Sequence, residues 1–82
     1  MNLVVLTPDK ELFHGAVTSV NVPAIGGRFE VLKGHAPIVA ALGKGEVRFQ
    51  TKKGEKRSLK IEQGFVEVLR DEISLLVTGV AE

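Results

Sequence analysis

The chain has no cysteine, no tryptophan and no tyrosine, and phenylalanine occurs only four times in 82 residues. Without cysteine, neither a disulfide framework nor a thiolate metal site is available. Without tryptophan and tyrosine, most of the aromatic platforms on which single-stranded nucleic acids stack are missing. We therefore expect a small fold that depends on its apolar core alone.

Long apolar runs and an excess of one charge are also missing. No apolar segment approaches the roughly 20 residues that span a bilayer, and the N-terminus lacks the basic region and apolar core of a signal peptide. Eleven basic and ten acidic residues leave a net charge of +1, which argues against a dedicated nucleic-acid surface. These features predict a cytoplasmic domain without direct membrane insertion.

Short apolar segments separated by turn residues are what the sequence contains instead. The segments around Val20, Val47 and Val66 alternate apolar and polar residues, which indicates half-buried strands. Glycine in Lys52–Glu55 predicts a hairpin turn, and Gln63-Gly64 predicts another turn. Strands at about 8–12-residue spacing are typical of an all-β fold. We predict one domain over residues 1–82, a mostly antiparallel β-sandwich or barrel of eight or nine short strands.

The inward-facing residues of these strands form the predicted core. In this interpretation Gly15 ends a short segment before the strand Ala16–Val22, so His14 lies exposed in a turn. The core then comprises Val5, Val20, Val22, Phe29, Val31, Val47, Phe49, Leu59, Ile61, Val66, Val68, Leu75 and Val77.

No set of side chains indicates catalysis or metal binding. His14 and His35 have no second histidine or paired carboxylate at ligand spacing. Asp71 and Glu72 lie at a hairpin tip, whereas a general acid needs a desolvated carboxyl group. Gly43-Lys44-Gly45 lacks the spacing of a phosphate-binding loop, and no helix follows it. We predict no catalytic residue, no cofactor and no metal.

The sequence leaves two interpretations open for each of two features. The first is the basic run in the hairpin, which comprises Lys52, Lys53, Lys56, Arg57 and Lys60. It is either a solvated face that blocks edge-to-edge association or a contact for an acidic partner or anionic headgroups. Leu12-Phe13 and Ala36–Val39 either cap the open end of the sandwich or form an apolar patch for a protein contact. His35 either bonds a loop carbonyl or lies in an interface.

Four segments, in order along the chain, resemble the epsilon subunit of the F-type ATP synthase: Glu11-Leu12-Phe13-x-Gly15-x-Val17, Gly34-His35-Ala36-Pro37-Ile38-Val39, Gly45-Glu46-Val47-Arg48 and Gly64-Phe65-Val66-Glu67-Val68. The terminal segment from Leu76 to Glu82 resembles the last strand of the same family. The resemblance is collinear and covers essentially the whole chain, and it implies a flattened antiparallel β-sandwich of about ten strands.

The resemblance implies a non-catalytic rotor subunit of the central stalk, peripheral to the cytoplasmic face of the bacterial plasma membrane. Such a subunit binds the gamma subunit, rests on the polar loops of the c-ring, and couples proton flow to ATP synthesis in the catalytic head. Carried over by position, the gamma interface comprises Leu12, Phe13, His35, Ala36, Pro37, Val39 and Ala40. The c-ring interface comprises Gly26, Gly27 and Arg28.

The chain departs from this family in two ways. Most bacterial members continue into a C-terminal helical hairpin, so we expect a naturally short member that cannot inhibit ATP hydrolysis by extending helices. Arg28 stands where relatives often carry an acidic residue, and Glu30 and Lys33 stand where glycine and proline are common. We therefore expect different charge pairing at the c-ring.

Two other classes of small β-domain fit the sequence less well. A lipoyl- or biotinyl-type carrier needs a lysine beside a methionine at a hairpin tip, and the one methionine is Met1. A small nucleic-acid-binding barrel conflicts with the balanced charge and the scarce aromatics. A lysine adduct would identify the carrier, and salt-dependent oligonucleotide binding would identify the barrel.

Overall fold

Eight β-strands joined by short turns build the fold in a computed structural model, which describes residues 1–81. The strands are β1 (Asn2–Leu6), β2 (Glu11–Val22), β3 (Phe29–Leu32), β4 (Ile38–Leu42), β5 (Gly45–Thr51), β6 (Lys56–Ile61), β7 (Gln63–Leu69) and β8 (Glu72–Thr78). The domain measures 28 × 25 × 19 Å. The predicted all-β fold is confirmed. Over residues 1–81 no helix is long and apolar enough to cross a membrane.

Hydrogen bonding links the strands in the order β4-β7-β8-β1-β2-β5-β6, with β3 paired to β2. This path folds into two layers. The β7 sheet contains β4, β7, β8, β1 and the first half of β2, and the β5 sheet contains the second half of β2 with β3, β5 and β6. All strand pairs are antiparallel except β1 with β8. The prediction of an antiparallel β-sandwich is therefore confirmed, and within residues 1–81 the one parallel pair joins two strands that no hairpin connects.

The long strand β2 connects the two layers. Its first half pairs with β1 as far as Ala16, and its second half pairs with β5 from Val17 onward. A register shift between Val17 and Ser19 marks the crossing, as β-bulges do where a strand bends. The prediction that Gly15 ends a segment and places His14 in a turn is wrong, since both residues lie within β2. Glycine fits here because a Cβ would lie only 3.2 Å from Cζ of Phe13.

Two of the predicted turns are present and one is absent. Gly54 closes the β5–β6 hairpin with a φ of 93°, and Arg70 and Asp71 turn between β7 and β8 with φ of 50° and 64°. The predicted turn at Gln63-Gly64 is wrong, because both residues belong to β7. Gly64 is needed for a close strand approach, since a Cβ would lie 2.5 Å from the carbonyl oxygen of Leu76.

The core lies between the two layers. Twelve of the thirteen predicted core residues are buried, and Phe29 is half-buried because β3 is an edge strand that pairs only with β2. Four further buried side chains were not in the predicted core: Leu3, Val17, Leu42 and Ile73. Leu3 and Leu42 lie in continuous apolar runs, where alternation gives no signal for the inward side.

Candidate functional site

An apolar patch covers part of the outer surface of the β7 sheet. Cross-strand pairing aligns Ala41 with Phe65 and Phe65 with Leu76 on neighbouring strands. Phe65 is 57% exposed, Leu76 50%, Val39 70% and Ile25 73%. We call these five residues the apolar patch. Neighbouring exposed apolar side chains on a small domain are typical of a surface that contacts another protein.

Ile25 reaches the apolar patch from the segment after β2. Its backbone N–H donates to the carbonyl oxygen of Ala41 at 3.0 Å, and the Gly43 N–H donates to the carbonyl of Pro23 at 2.9 Å. These bonds hold the segment against the edge of β4. A shallow depression of about 260 Å³ lies beside them and is lined by Ile25, Ala41, Phe65 and Leu76 among others.

Most of the apolar patch lies outside the residues that were predicted from the sequence. Only Val39 belongs to both sets. Phe65 and Leu76 occupy outward positions of alternating strands, where polar residues are the rule. An apolar residue at such an outward position is the signal in the sequence that indicates this patch.

The predicted residues His35, Ala36 and Pro37 lie together in the loop between β3 and β4. The His35 N–H donates to the carbonyl of Leu32 at 3.0 Å, and the Gly34 N–H donates to Oδ1 of Asp71 at 3.3 Å. These bonds fasten the loop to β3 and to the β7–β8 turn. The loop runs directly into β4, so it is continuous with Val39.

The His35 ring agrees with the first of the two interpretations left open for it, a bond to a loop carbonyl. Nδ1 lies 2.6 Å from the carbonyl oxygen of Ala36, and the ring is stacked on Phe29 with centroids 6.0 Å apart. The ring therefore orders the loop and is half-buried. Ala40, the next predicted residue on β4 after Val39, points inward and packs against the core.

Leu12 and Phe13 lie elsewhere, on β2, at the opposite end of the β7 sheet from β4. The Phe13 ring centroid is 4.6 Å from that of Phe49. The guanidinium carbon of Arg57 lies 5.3 Å from the Phe13 centroid and 5.8 Å from the Phe49 centroid. Leu12 and Phe13 therefore cap the open end of the sandwich, and the structure does not bring them together with His35–Ala40.

The predicted c-ring residues form a tight turn next to the apolar patch. The Gly27 N–H donates to the carbonyl of Ala24 at 3.0 Å, and Gly27 has a φ of 135° that favours glycine. Gly26 and Gly27 are exposed. Arg28 turns back along the β5 sheet, where its guanidinium donates to Oδ1 of Asn21 and to the carbonyl oxygen of Glu46.

Charge is concentrated on the outer surface of the β5 sheet. Arg48 Nε donates to Oε1 of Glu46 at 2.5 Å, and this bond lowers the pKa of the Glu46 carboxyl group, with the positive charges of Arg48, Lys60 and Arg28 adding to the effect. An open groove of about 440 Å³ lies along this surface. Over residues 1–81 no three His, Asp or Glu side chains are placed to hold a metal ion.

A two-layered β-domain with an exposed apolar sheet surface is a scaffold of the protein-binding class. The chain belongs to the ATP synthase delta/epsilon family, since the model of the family's β-sandwich domain matches residues 1–82. The resemblance to epsilon subunits is thereby confirmed.

Curated relatives share about two fifths of their residues with this chain. The ATP synthase epsilon chain of Chlorobium limicola is 43% identical over 79 residues, which are 96% of this chain and 90% of the relative. The epsilon chain of Solibacter usitatus is 43% identical over 82 residues, which are 100% of this chain and 60% of the relative. The matched relatives therefore differ in total length.

Two solved structures contain a similar fold. One chain belongs to the Euglena gracilis mitochondrial ATP synthase (OSCP, F1 and c-ring), with a TM-score of 0.88, 22% identity, and coverage of 96% of this chain and 51% of that one. The other belongs to the central stalk and c-ring of the Tetrahymena thermophila mitochondrial enzyme, with a TM-score of 0.79, 16% identity, and coverage of 99% and 65%. At these identities the two structures establish the fold.

Proposed function

We propose that this chain is a non-catalytic rotor subunit in the central stalk of a proton-translocating F-type ATP synthase. The observation that carries the proposal is the apolar patch on a chain that matches the epsilon β-sandwich domain over residues 1–82. The similar folds from a c-ring assembly and from a central stalk agree with it. The subunit links the gamma subunit to the c-ring and transmits rotation that the catalytic head uses for ATP synthesis.

The gamma subunit binds at the apolar patch and the adjoining loop. Val39 is 70% exposed, and His35, Ala36 and Pro37 extend the surface from its end of β4. Ala40 contributes through its backbone position, since its side chain packs inward. Leu12 and Phe13 would form a second and separate contact at the far end of the sheet.

The c-ring binds at the turn formed by Gly26, Gly27 and Arg28. Ile25 lies in the apolar patch and directly precedes this turn. The two proposed contacts are therefore adjacent, which suits a subunit that connects two parts of one rotor. In this position the domain is peripheral to the membrane, at its cytoplasmic face in a bacterium.

Co-purification with the gamma subunit tests this function. The tagged chain is produced together with the gamma subunit and c-ring of its own synthase, and we expect both to remain bound after washing. Phe65→Glu should reduce gamma recovery by ten-fold or more, since an interface anchor is worth about 2 kcal/mol. Ser58→Glu, on the outer surface of the β5 sheet, is the matched control.

Two results would overturn the proposal. The first is absence of the gamma subunit from the purified material, with the chain itself folded. The second is equal gamma recovery with Phe65→Glu, Val39→Asp and the Ser58→Glu control. Loss of gamma with all three variants would indicate unfolding, so the circular dichroism spectrum of each variant is recorded first.

A further inference from the structure

We propose that the free edge of β6 binds an extended acidic segment of a partner protein as an added strand. This edge belongs to the β5 sheet and is separate from the apolar patch and from the turn formed by Gly26, Gly27 and Arg28. Addition of a strand to an exposed sheet edge is a common mode of peptide recognition, in which main-chain hydrogen bonds give affinity and side chains give selectivity.

Strand geometry directs the backbone of Lys56 and Ser58 outward. At the end of the hairpin, the Thr51 N–H donates to the carbonyl of Glu55 at 2.8 Å, and the register pairs Gln50 with Lys56. Backbone groups of successive residues point to opposite sides of a strand. The odd residues of β6 therefore bond to β5, while Lys56, Ser58 and Lys60 direct their N–H and C=O groups away from it.

The edge already accepts a strand at one point. The Lys60 N–H donates to the carbonyl of Ala81 at 3.1 Å, and the Ala81 N–H donates to the carbonyl of Lys60 at 2.9 Å. This is an antiparallel pair. Within residues 1–81, Lys56 and Ser58 have no such backbone partner. Their four polar groups extend the same line along the edge and are directed away from β5.

The positive charge of the hairpin and β6 indicates which kind of segment binds at this edge. The hairpin and β6 carry five cations, Lys52, Lys53, Lys56, Arg57 and Lys60, against the single carboxylate of Glu55. All of these side chains are exposed. Opposite charges placed directly across two strands are favourable, whereas like charges are unfavourable. An acidic strand is therefore accepted here, and a second copy of the basic β6 edge is disfavoured.

The alternating direction of the side chains along β6 also determines the order of acidic and apolar residues expected in the bound segment. Lys56 and Lys60 project from the outer surface of the sheet, while Arg57 projects from the opposite surface, over Phe13 and Phe49. Residues opposite Lys56 and Ser58 are therefore acidic. The residue between them, opposite Arg57, projects on the inner side of the sheet, the side on which Leu59 and Ile61 are buried, so it is apolar. The expected segment alternates acidic and apolar residues.

Titration of the isotope-labelled 82-residue chain with a capped octapeptide of alternating glutamate and valine tests the proposal. We expect saturable amide shifts on β6, and slower hydrogen exchange at the Lys56 and Ser58 amides. Lys56→Glu should weaken binding by about five-fold. Lys10→Glu, in the turn between β1 and β2, carries the same charge change away from the edge and should leave binding unchanged.

A second peptide separates strand addition from simple charge attraction. It has the same sequence but N-methyl groups on the residues whose amides would face β6, which removes the hydrogen-bond donors. Equal binding of both peptides, or equal weakening by Lys56→Glu and Lys10→Glu, would overturn the proposal. So would an absence of shifts at millimolar peptide. Sedimentation with phosphatidylglycerol vesicles that is abolished by Lys56→Glu, without peptide binding, would assign the basic edge to lipid instead.

Discussion

The Arg28 guanidinium donates a hydrogen bond to the carbonyl oxygen of Glu46 at 2.7 Å. The last pair between β2 and β5 is Asn21 with Arg48, so the Glu46 carbonyl lies just beyond the end of the β2 ladder. The Arg28 side chain therefore takes the place of a strand backbone. It also bonds Oδ1 of Asn21, and thereby fastens the proposed c-ring turn to the β5 sheet.

Arg28→Met should destabilise the domain, because methionine keeps an unbranched apolar stem and removes both hydrogen bonds. We expect the free energy of unfolding to fall by about 1 kcal/mol, with a fall in the melting temperature of about 4–8 °C. Arg28→Glu should cost more, since it places a carboxylate beside Glu46. Urea denaturation of the wild-type chain and both variants measures these differences.

The coupling role of Arg28 needs a separate measurement. We expect Arg28→Glu to reduce ATP-driven proton pumping by the reconstituted synthase, because the charge pairing of the turn with the c-ring is reversed. Lys10→Glu controls for the change in net charge. Unchanged pumping in Arg28→Glu, together with lower stability, would restrict Arg28 to its role within the domain.

Alternation of apolar and polar residues was enough to predict the strands and most of the core. Val20 and Val22 face inward and Asn21 faces outward, as the two-residue period requires. Glycine was the weaker signal. Gly15 and Gly64 were interpreted as turns, yet both lie inside strands, where a Cβ would be 3.2 Å from the Phe13 ring and 2.5 Å from the Leu76 carbonyl oxygen, respectively. A local pattern contains no information about such contacts.

The candidate site divides in the same way. The loop with His35 and the exposed Val39 were candidates from the residues themselves, the resemblance to epsilon subunits assigned them to the gamma contact, and both lie at one end of β4. To predict that Phe65 and Leu76 are neighbours, one needs the register of β7 with β8, which cannot be read from the sequence. Likewise, the partners of Arg28 are 7 and 18 residues away in sequence.

Phe13→Ala should lower stability as well as any gamma contact, because Phe13 is packed on Phe49 and covered by Arg57. The ring is half-buried, so we expect a loss of about 2 kcal/mol, below the range for fully buried phenylalanine. Thermal denaturation measures it. Phe65→Ala is the matched comparison, since its ring is 57% exposed, and it should leave the melting temperature nearly unchanged. An equal fall for both variants would contradict the packing assigned to Phe13.

Gly64→Ala and Gly26→Ala test whether glycine is required for space. A Cβ at Gly64 would lie 2.5 Å from the carbonyl oxygen of Leu76, whereas no atom lies within 4 Å of a Cβ at Gly26. We expect Gly64→Ala to cost about 2 kcal/mol by forcing β7 and β8 apart. Gly26→Ala should be neutral within about 0.5 kcal/mol. Chemical denaturation of both variants measures these changes. Equal denaturation midpoints would show that the spacing between β7 and β8 adapts to the added Cβ without a loss of stability.

Acid sensitivity should depend on Glu46, because Arg48 binds its carboxylate and lowers its pKa from 4.5 in the folded chain. A lowered folded-state pKa means that the unfolded chain binds the proton first as the pH falls. The contribution of this carboxylate to stability is therefore present above about pH 4.5 and is lost as the pH falls through the lowered value.

In Glu46→Gln we expect a lower free energy of unfolding at pH 7 and a difference from wild type that disappears in acid. Glu67→Gln, on β7, is the matched control. A difference between wild type and Glu46→Gln that stays constant from pH 7 to about pH 2 would show that the Arg48 bond does not stabilise the fold through the charge of Glu46.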